Sequence, residues 1–291
     1  AAGGSQRFRG RACHRALSLA SWYGHAECIE LLLAEDASAC LKVDKSGDTA
    51  LILTASNGKV ECLRLLLAAN SAVDHANSAG NTALILASRR GHIKCVQLLI
   101  AANASLSHAN AKGDTALMVA ASRGKVECMR MLLAASTSPV FVNQSNMDGD
   151  SALTLVSRKG NSKCVELLIE VGASLEHLNN RNFSALICAT KAGHADIVQQ
   201  LLAANALMSV WPALLFAAHF NQAQCLRVLL SVYPPVNVVS IALMQASRSG
   251  NTECARLLLE VNANVDFADN AGVTALINAS RFGHADCVAL L

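Results

Sequence analysis

Aromatic rings and charge are both scarce in this sequence. Of its 291 residues only 4% are Phe, Trp or Tyr, and only 15% are Asp, Glu, Lys or Arg. A core cannot rest on ring packing here; it must be built from Ala, Leu, Ile and Val, as closely stacked helices require. The net charge of +3 is too small to imply a nucleic-acid or membrane partner by itself. No uninterrupted apolar run approaches ~18 residues, which weighs against a membrane span, and no leader of the secretory kind is expected. A phosphate-cradling Gly loop, a dinucleotide fingerprint and a nucleophile elbow are all missing. These gaps leave no cofactor, no small-molecule substrate and no catalytic residue to nominate.

What the chain does have is repetition. The stretch from Gly80 to Lys112 is rewritten from Gly113 onward, and an Ala-Leu pair recurs at Ala16, Ala50, Ala83, Ala116, Ala152, Ala185, Ala213, Ala242 and Ala275. The steps are 34, 33, 33, 36, 33, 28, 29 and 33 residues. A fixed period in this range marks a stacked-repeat solenoid, in which each unit buries its apolar face only against its neighbours. The expected organisation is a disordered tail over 1–10 and an array of about nine units over 11–291. First helices start near 12, 50, 83, 116, 152, 185, 213, 242 and 275.

Within a copy, Thr49, Thr82, Thr115 or Ser151 stands before the Ala-Leu pair and is placed to cap the first helix. Gly58, Gly91, Gly124 or Gly160 closes it. The second helix carries apolar residues at helical spacing, as in Cys95, Val96, Leu98 and Leu99. Its outer face holds Glu61 with Arg64, Glu127 with Arg130 and Glu253 with Arg256, pairs that mark a solvated surface. Asp44, Asn77, Asn110, Asn146, Asn179 and Asp269 each stand five residues before a capping hydroxyl and favour a tight turn. A hairpin-like finger per copy follows. The fourth connection is longer than the rest, around Pro139-Val140-Phe141.

Eight of the eleven cysteines occupy one place in the repeat: Cys28, Cys62, Cys95, Cys128, Cys164, Cys225, Cys254 and Cys287. Ile197 fills that place in the sixth copy, which marks it as an apolar packing position. A buried, reduced thiol ladder is expected, and with it an intracellular protein, cytoplasmic or nuclear. Three of these, Cys28, Cys95 and Cys287, lie three residues after His25, His92 and His284. Two potential ligands per copy, one of them turned into the core, fall short of the four that a closed zinc site needs. His75, His108 and His177 share a finger position and read as rings packed between fingers, with a pH-sensing column as the alternative.

Two short helices, a Gly between them and a finger on this period resemble the ankyrin repeat, whose first helix opens T-P-L-H-x-A. Here that opening reads TALILT, TALILA, TALMVA, SALTLV, SALICA and TALINA, with Ala for the Pro and Ile, Met or Thr for the His. The Gly-His of the family recurs at Gly24-His25, Gly91-His92, Gly193-His194 and Gly283-His284. The resemblance implies an all-α ankyrin-repeat solenoid with short β-hairpin fingers. It also implies a non-enzymatic scaffold or adaptor that binds another protein in a concave groove.

The end of each first helix would line that groove, which singles out Arg89, Arg90, Arg123, Arg158, Lys159 and Lys191 as partner-binding residues for an acidic or extended segment. The competing reading is local: cations at a helix C-terminus gain ~0.3–1 kcal/mol from the dipole without any ligand. Nucleic acid is the weaker partner class, because the central copies lack interleaved aromatics. Exposed aromatic pairs at Trp22-Tyr23 and His219-Phe220 are further anchor candidates.

The seventh repeat, 211–239, departs from the pattern. The short steps around it predict blunted fingers on both sides, and Pro234-Pro235 predicts a weak seam that could hinge. The chain starts at Ala1 and stops within the second helix of a truncated last repeat, which reads as a fragment. The alternative function is therefore a substrate-targeting arm of a larger enzyme, a kinase or ubiquitin ligase.

Overall fold

In the third copy, Thr82 is extended (φ −86, ψ 170) and its hydroxyl accepts the Ile85 N–H at 3.4 Å. That satisfies one of the four N–H groups a helix leaves open, so the helix Ala83–Arg90 can begin there. Gly91 takes the left-handed conformation, φ +83, and ends the helix after eight residues. A second helix, Ile93–Ala101, buries Cys95, Val96 and Leu99. Thr49, Thr115, Ser184 and Thr274 cap their helices in the same way, each accepting from the residue three on at 3.3 Å.

This is a computed structural model describing the backbone from Ala2 to Leu291 and side chains from Cys13 on. The chain divides into two compact units at Ala152/Leu153. The first unit holds first helices Ala2–Tyr23, Ala50–Ser56, Ala83–Arg90 and Ala116–Ser122. Their partners are Ala26–Glu35, Val60–Ala68, Ile93–Ala101 and Val126–Ala135. The second unit has first helices Ala152–Lys159, Ala185–Ala192, Val210–His219, Val236–Ser249 and Ala275–Arg281. Those pair with Ser162–Glu170, Ala195–Ala203, Ala223–Leu230, Thr252–Glu260 and Ala285–Leu290. Within each unit, first helices pack on first helices and second on second. The fold is an all-α repeat solenoid.

Several features differ from the sequence reading. The first helix is Ala2–Tyr23; the side chains of 1–12, where the disordered tail is expected, lie outside the described residues. The fingers contain no strands among the described residues, only an isolated bridge between Ser145 and Ser151. Each is a tight turn held by its Asp or Asn side chain. Asn77 Oδ1 accepts from Ala79 N at 3.0 Å and Asn81 N at 2.9 Å, and Asp44, Asn110, Asn146, Asn179 and Asp269 repeat the arrangement. With the turn's donors taken by a side chain, too few residues remain on either arm to form a ladder.

Fingers are stitched to their neighbours instead. In the first unit Ser78 N donates to Ser46 O, Ala111 N to Ala79 O and Met147 N to Lys112 O, at 3.0, 3.1 and 3.0 Å. Asn77, Asn110 and Asn146 donate their amides to Asp48, Asn81 and Asp114 of the preceding finger at 2.7, 3.0 and 2.9 Å. His75 and His108 reach back to the Gly47 and Gly80 carbonyls, both at 3.1 Å. A carbonyl can only accept, so each ring carries its proton on Nε2. The longer fourth connection folds into a short helix, Pro139–Val142, that buries Phe141 and Val142.

Around the seventh copy the fingers are absent. Six residues, 204–209, join Ala195–Ala203 to Val210–His219, and five, 231–235, join Ala223–Leu230 to Val236–Ser249. Pro235 starts an extended first helix of 14 residues, since a Pro lacks only a donor that the helix start would leave open. Val210–His219 packs against both Ala185–Ala192 and Val236–Ser249. Long first helices thus make contact where the finger contacts are missing.

Candidate functional site

The six candidate cations divide between the two units. In the first, Arg89 ends its helix half-buried and donates to Asn81 Oδ1 at 3.0 Å, at the base of its own finger. Burial, then the neighbouring Arg123, hold its pKa below the usual guanidinium value. Arg90 is exposed and donates to Asn57 Oδ1 at 3.5 Å. Arg123 is exposed, and its guanidinium makes no hydrogen bond or ion pair among the described residues. Arg89 and Arg123 line one cavity of about 380 Å³ with Asn81, Asn110, Lys112 and Asp114.

In the second unit Arg158 and Lys159 are exposed at the end of Ala152–Lys159. Lys191 places its ammonium 5.1 Å from the Phe183 ring centre and 5.0 Å from that of Phe220. Phe216 meets Phe183 edge-on at 5.2 Å and stacks on Phe220 at 6.0 Å. A cavity of about 230 Å³ opens beside them, lined by Arg158, Arg181, Phe183, Cys188, Lys191 and Ala192. A second cation–ring pair sits further along, Arg248 over Phe282 at 5.5 Å, beside a cavity of about 460 Å³.

The other candidate chemistry resolves into packing. No group of three His, Cys, Asp or Glu is placed to hold a metal among the described residues. His92, His194 and His284 send Nε2–H to the Ser56, Arg158 and Arg248 carbonyls of the preceding copy, at 3.1, 3.3 and 3.1 Å. All eleven cysteines are thiols. Ladder thiols from Cys62 to Cys287 are buried, and burial pushes those of Cys95, Cys164, Cys225 and Cys254 up to about 11. Cys28 breaks the expectation: it is exposed, because the first copy has no preceding second helix to cover it.

The family model for ankyrin repeats (3 copies) matches residues 17–110, 70–143, 102–177, 137–210 and 214–291. The chain belongs to the ankyrin repeat family. Among curated proteins it is similar to two of Oryza sativa subsp. japonica. One is the probable E3 ubiquitin-protein ligase XBOS33, 31% identical over 135 residues, 39% of this chain and 26% of that protein. The other is the probable E3 ubiquitin-protein ligase XBOS32, 33% identical over 124 residues, 39% of this chain and 24% of that protein. The match spans about a quarter of either relative's length. Among solved structures it resembles a chain of the complex of the Bd0816 predatory endopeptidase from Bdellovibrio bacteriovorus with immunity protein Bd3460. That likeness has a TM-score of 0.59 at 28% identity, over 65% of this chain and 97% of that one.

Ankyrin repeats are protein-interaction modules, and in this ankyrin array Arg89 joins the end of its first helix to its finger. The exposed aromatic pairs have separate fates. Tyr23 stacks on His25 at 6.1 Å beside the exposed Trp22 at one end of the first unit. Phe220 joins the Lys191 cluster, while His219 Nδ1 lies 2.9 Å from Ser249 Oγ. Sequence reasoning missed Phe183, Phe216 and Arg181. The signal available was Phe183 itself, which precedes the capping Ser184 where other copies carry Asp48, Asn81, Asp114 or Asp150.

Proposed function

We propose that this chain is a non-enzymatic scaffold that holds an acidic or extended segment of a partner protein against its finger-side face, inside the cell. One observation carries the reading: two of the cations ending first helices, Arg89 and Lys191, are engaged toward residues at the base of a finger. Arg89 donates to Asn81 and Lys191 lies over Phe183 and Phe220. A cation serving only the helix dipole needs neither contact. Arg89, Arg90, Arg123, Arg158, Lys159 and Lys191 then steer and orient the partner, an electrostatic role that acts on encounter rate and register. The buried thiols of the ladder suit a reducing compartment.

The test is selection of displayed random peptides on the wild-type chain and on an Arg89→Glu, Arg90→Glu, Arg123→Glu, Arg158→Glu variant of unchanged melting. Wild type is expected to enrich Asp- and Glu-rich peptides that the variant does not hold. Equal enrichment on both proteins sinks the reading.

A second reading rests on the two rice relatives: the array is the substrate-targeting arm of a larger ubiquitin ligase. Ubiquitin transfer by the full gene product, with and without residues 11–291, separates the two. Substrate modification that requires the array supports the arm; a reading frame encoding repeats alone rejects it.

A further inference from the structure

We propose that the cavity between Lys191, Phe183 and Arg181 is an anchor subsite for one carboxylate side chain of a partner segment, seated together with an adjacent aliphatic residue. This deepens the scaffold reading and rests on it.

Charge selects the ligand class. Arg158, Arg181 and Lys191 line the cavity and no carboxylate does. Neither Arg181 nor Lys191 makes an ion pair among the described residues. Exposed Glu and Arg elsewhere in the second unit do find each other, as Arg227 finds Glu253 at 3.1 Å. Arg181 and Lys191, set together around a concavity, attract an anion, and low-dielectric walls strengthen that attraction.

Size narrows the class. At about 230 Å³ the cavity is below the ~300–1,000 Å³ of sites that bury a drug-sized ligand or cofactor. It suits one side chain of a longer segment. Phe183, Ala192 and the thiol of Cys188 supply apolar wall for a neighbouring aliphatic group. A stacked base fits poorly, because it would have to displace the Lys191 ammonium already lying over both rings.

The subsite is also preorganised. Cation–ring attraction holds the flexible Lys191 stem, and Phe216 braces both rings by edge and face contacts. Less side-chain freedom is then lost when a ligand arrives. The local sequence explains why this place differs from its counterparts. In the first unit the residue before the cap, Asp48, Asn81 or Asp114, accepts the amide of the next finger's Asn. The seventh copy has no finger, so no amide needs an acceptor there. Phe183 can occupy the position and turn to Phe216.

The experiment uses the full 291-residue chain and fluorescein-labelled dodecapeptides read by anisotropy: alternating Glu-Leu, its Gln-Leu counterpart, and a phosphoserine-Leu form. The Glu-Leu peptide is expected to bind and the Gln-Leu peptide not to. Lys191→Gln and Phe220→Ala are each expected to weaken binding about tenfold. Lys191→Arg should retain it, as should Arg64→Gln on the opposite helix layer. Matching melting curves guard against misfolded variants. Unchanged affinity in Lys191→Gln and Phe220→Ala overturns the subsite. If charge reversal at Arg89 and Arg123 abolishes binding in that same case, the scaffold reading survives its loss. Binding of the phosphoserine peptide alone, or of no peptide, also overturns it.

Discussion

Gly160 and Gly172 have nearly the same backbone, φ +79 and φ +76, yet they are constrained differently. A Cβ on Gly160 would lie 2.6 Å from the His194 ring of the next copy, whereas one on Gly172 meets nothing within 4 Å. Gly172→Ala therefore carries only the left-handed penalty of about 1–2 kcal/mol. Gly160→Ala adds displacement of a ring held on the Arg158 carbonyl, so it should lose about 1 kcal/mol more stability, read as a lower urea midpoint. Adding His194→Ala should remove most of that extra loss; a double variant as unstable as the summed singles would reject the contact. Tyr233 is the converse, an exposed non-glycine residue at φ +53. Tyr233→Gly relieves the strain and should raise stability by about 0.5 kcal/mol in the same titration.

The finger behaves as an element because one side chain both shapes it and ties it to its neighbour. Asn110 accepts from Lys112 N and Asp114 N and donates to Asn81. Asn110→Ala removes all three bonds from a buried position. At about 1 kcal/mol each the expected loss is about 3 kcal/mol by chemical denaturation. Asn110→Asp keeps both accepted bonds and loses only the donated one, so it should lose about a third as much. Helices show a similar economy. Where fingers are missing, Val236–Ser249 grows to 14 residues and buries Val239, Leu243 and Met244 along its length. Packing of the longer helix takes over from finger contacts there.

At the scale of the whole chain, the buried cysteine column makes stability depend on pH. The folded thiols of Cys95, Cys164, Cys225 and Cys254 lie at about 11 against the ordinary 9.0. Between those values the unfolded chain has lost protons that the folded chain retains. Stability is therefore full below about pH 9 and falls as pH rises toward 11. The urea midpoint at pH 10.5 should lie below that at pH 8, and Cys95→Ala with Cys164→Ala should flatten the slope. At pH 8 a thiol reagent should modify the exposed Cys28 well before any of the buried ladder thiols. Damage should also stay local in a nearest-neighbour array. Leu63→Ala, a cavity worth about 2–5 kcal/mol in a fully buried site, should raise amide exchange in residues around the second copy. Loss of protection spread evenly over all copies would contradict that picture.

The sequence by itself determined whatever is local and repeated. Thr82 caps, Asn110 turns and Cys95 buries because each acts through atoms within a few residues or at one fixed step along the array, so periodicity makes them legible. The positions of Arg89, Arg123 and Lys191 at the ends of first helices were legible for the same reason. What those cations touch was decided by tertiary structure alone. Lys191 finds Phe183 and Phe220 only because a missing finger lets Phe216 approach, and that follows from a deletion some twenty residues away. The fingers' lack of strands and the exposure of Cys28 have the same origin. Each depends on which neighbouring surface is present to pair, cover or continue the stack, and pairing across copies is a property of the packed array.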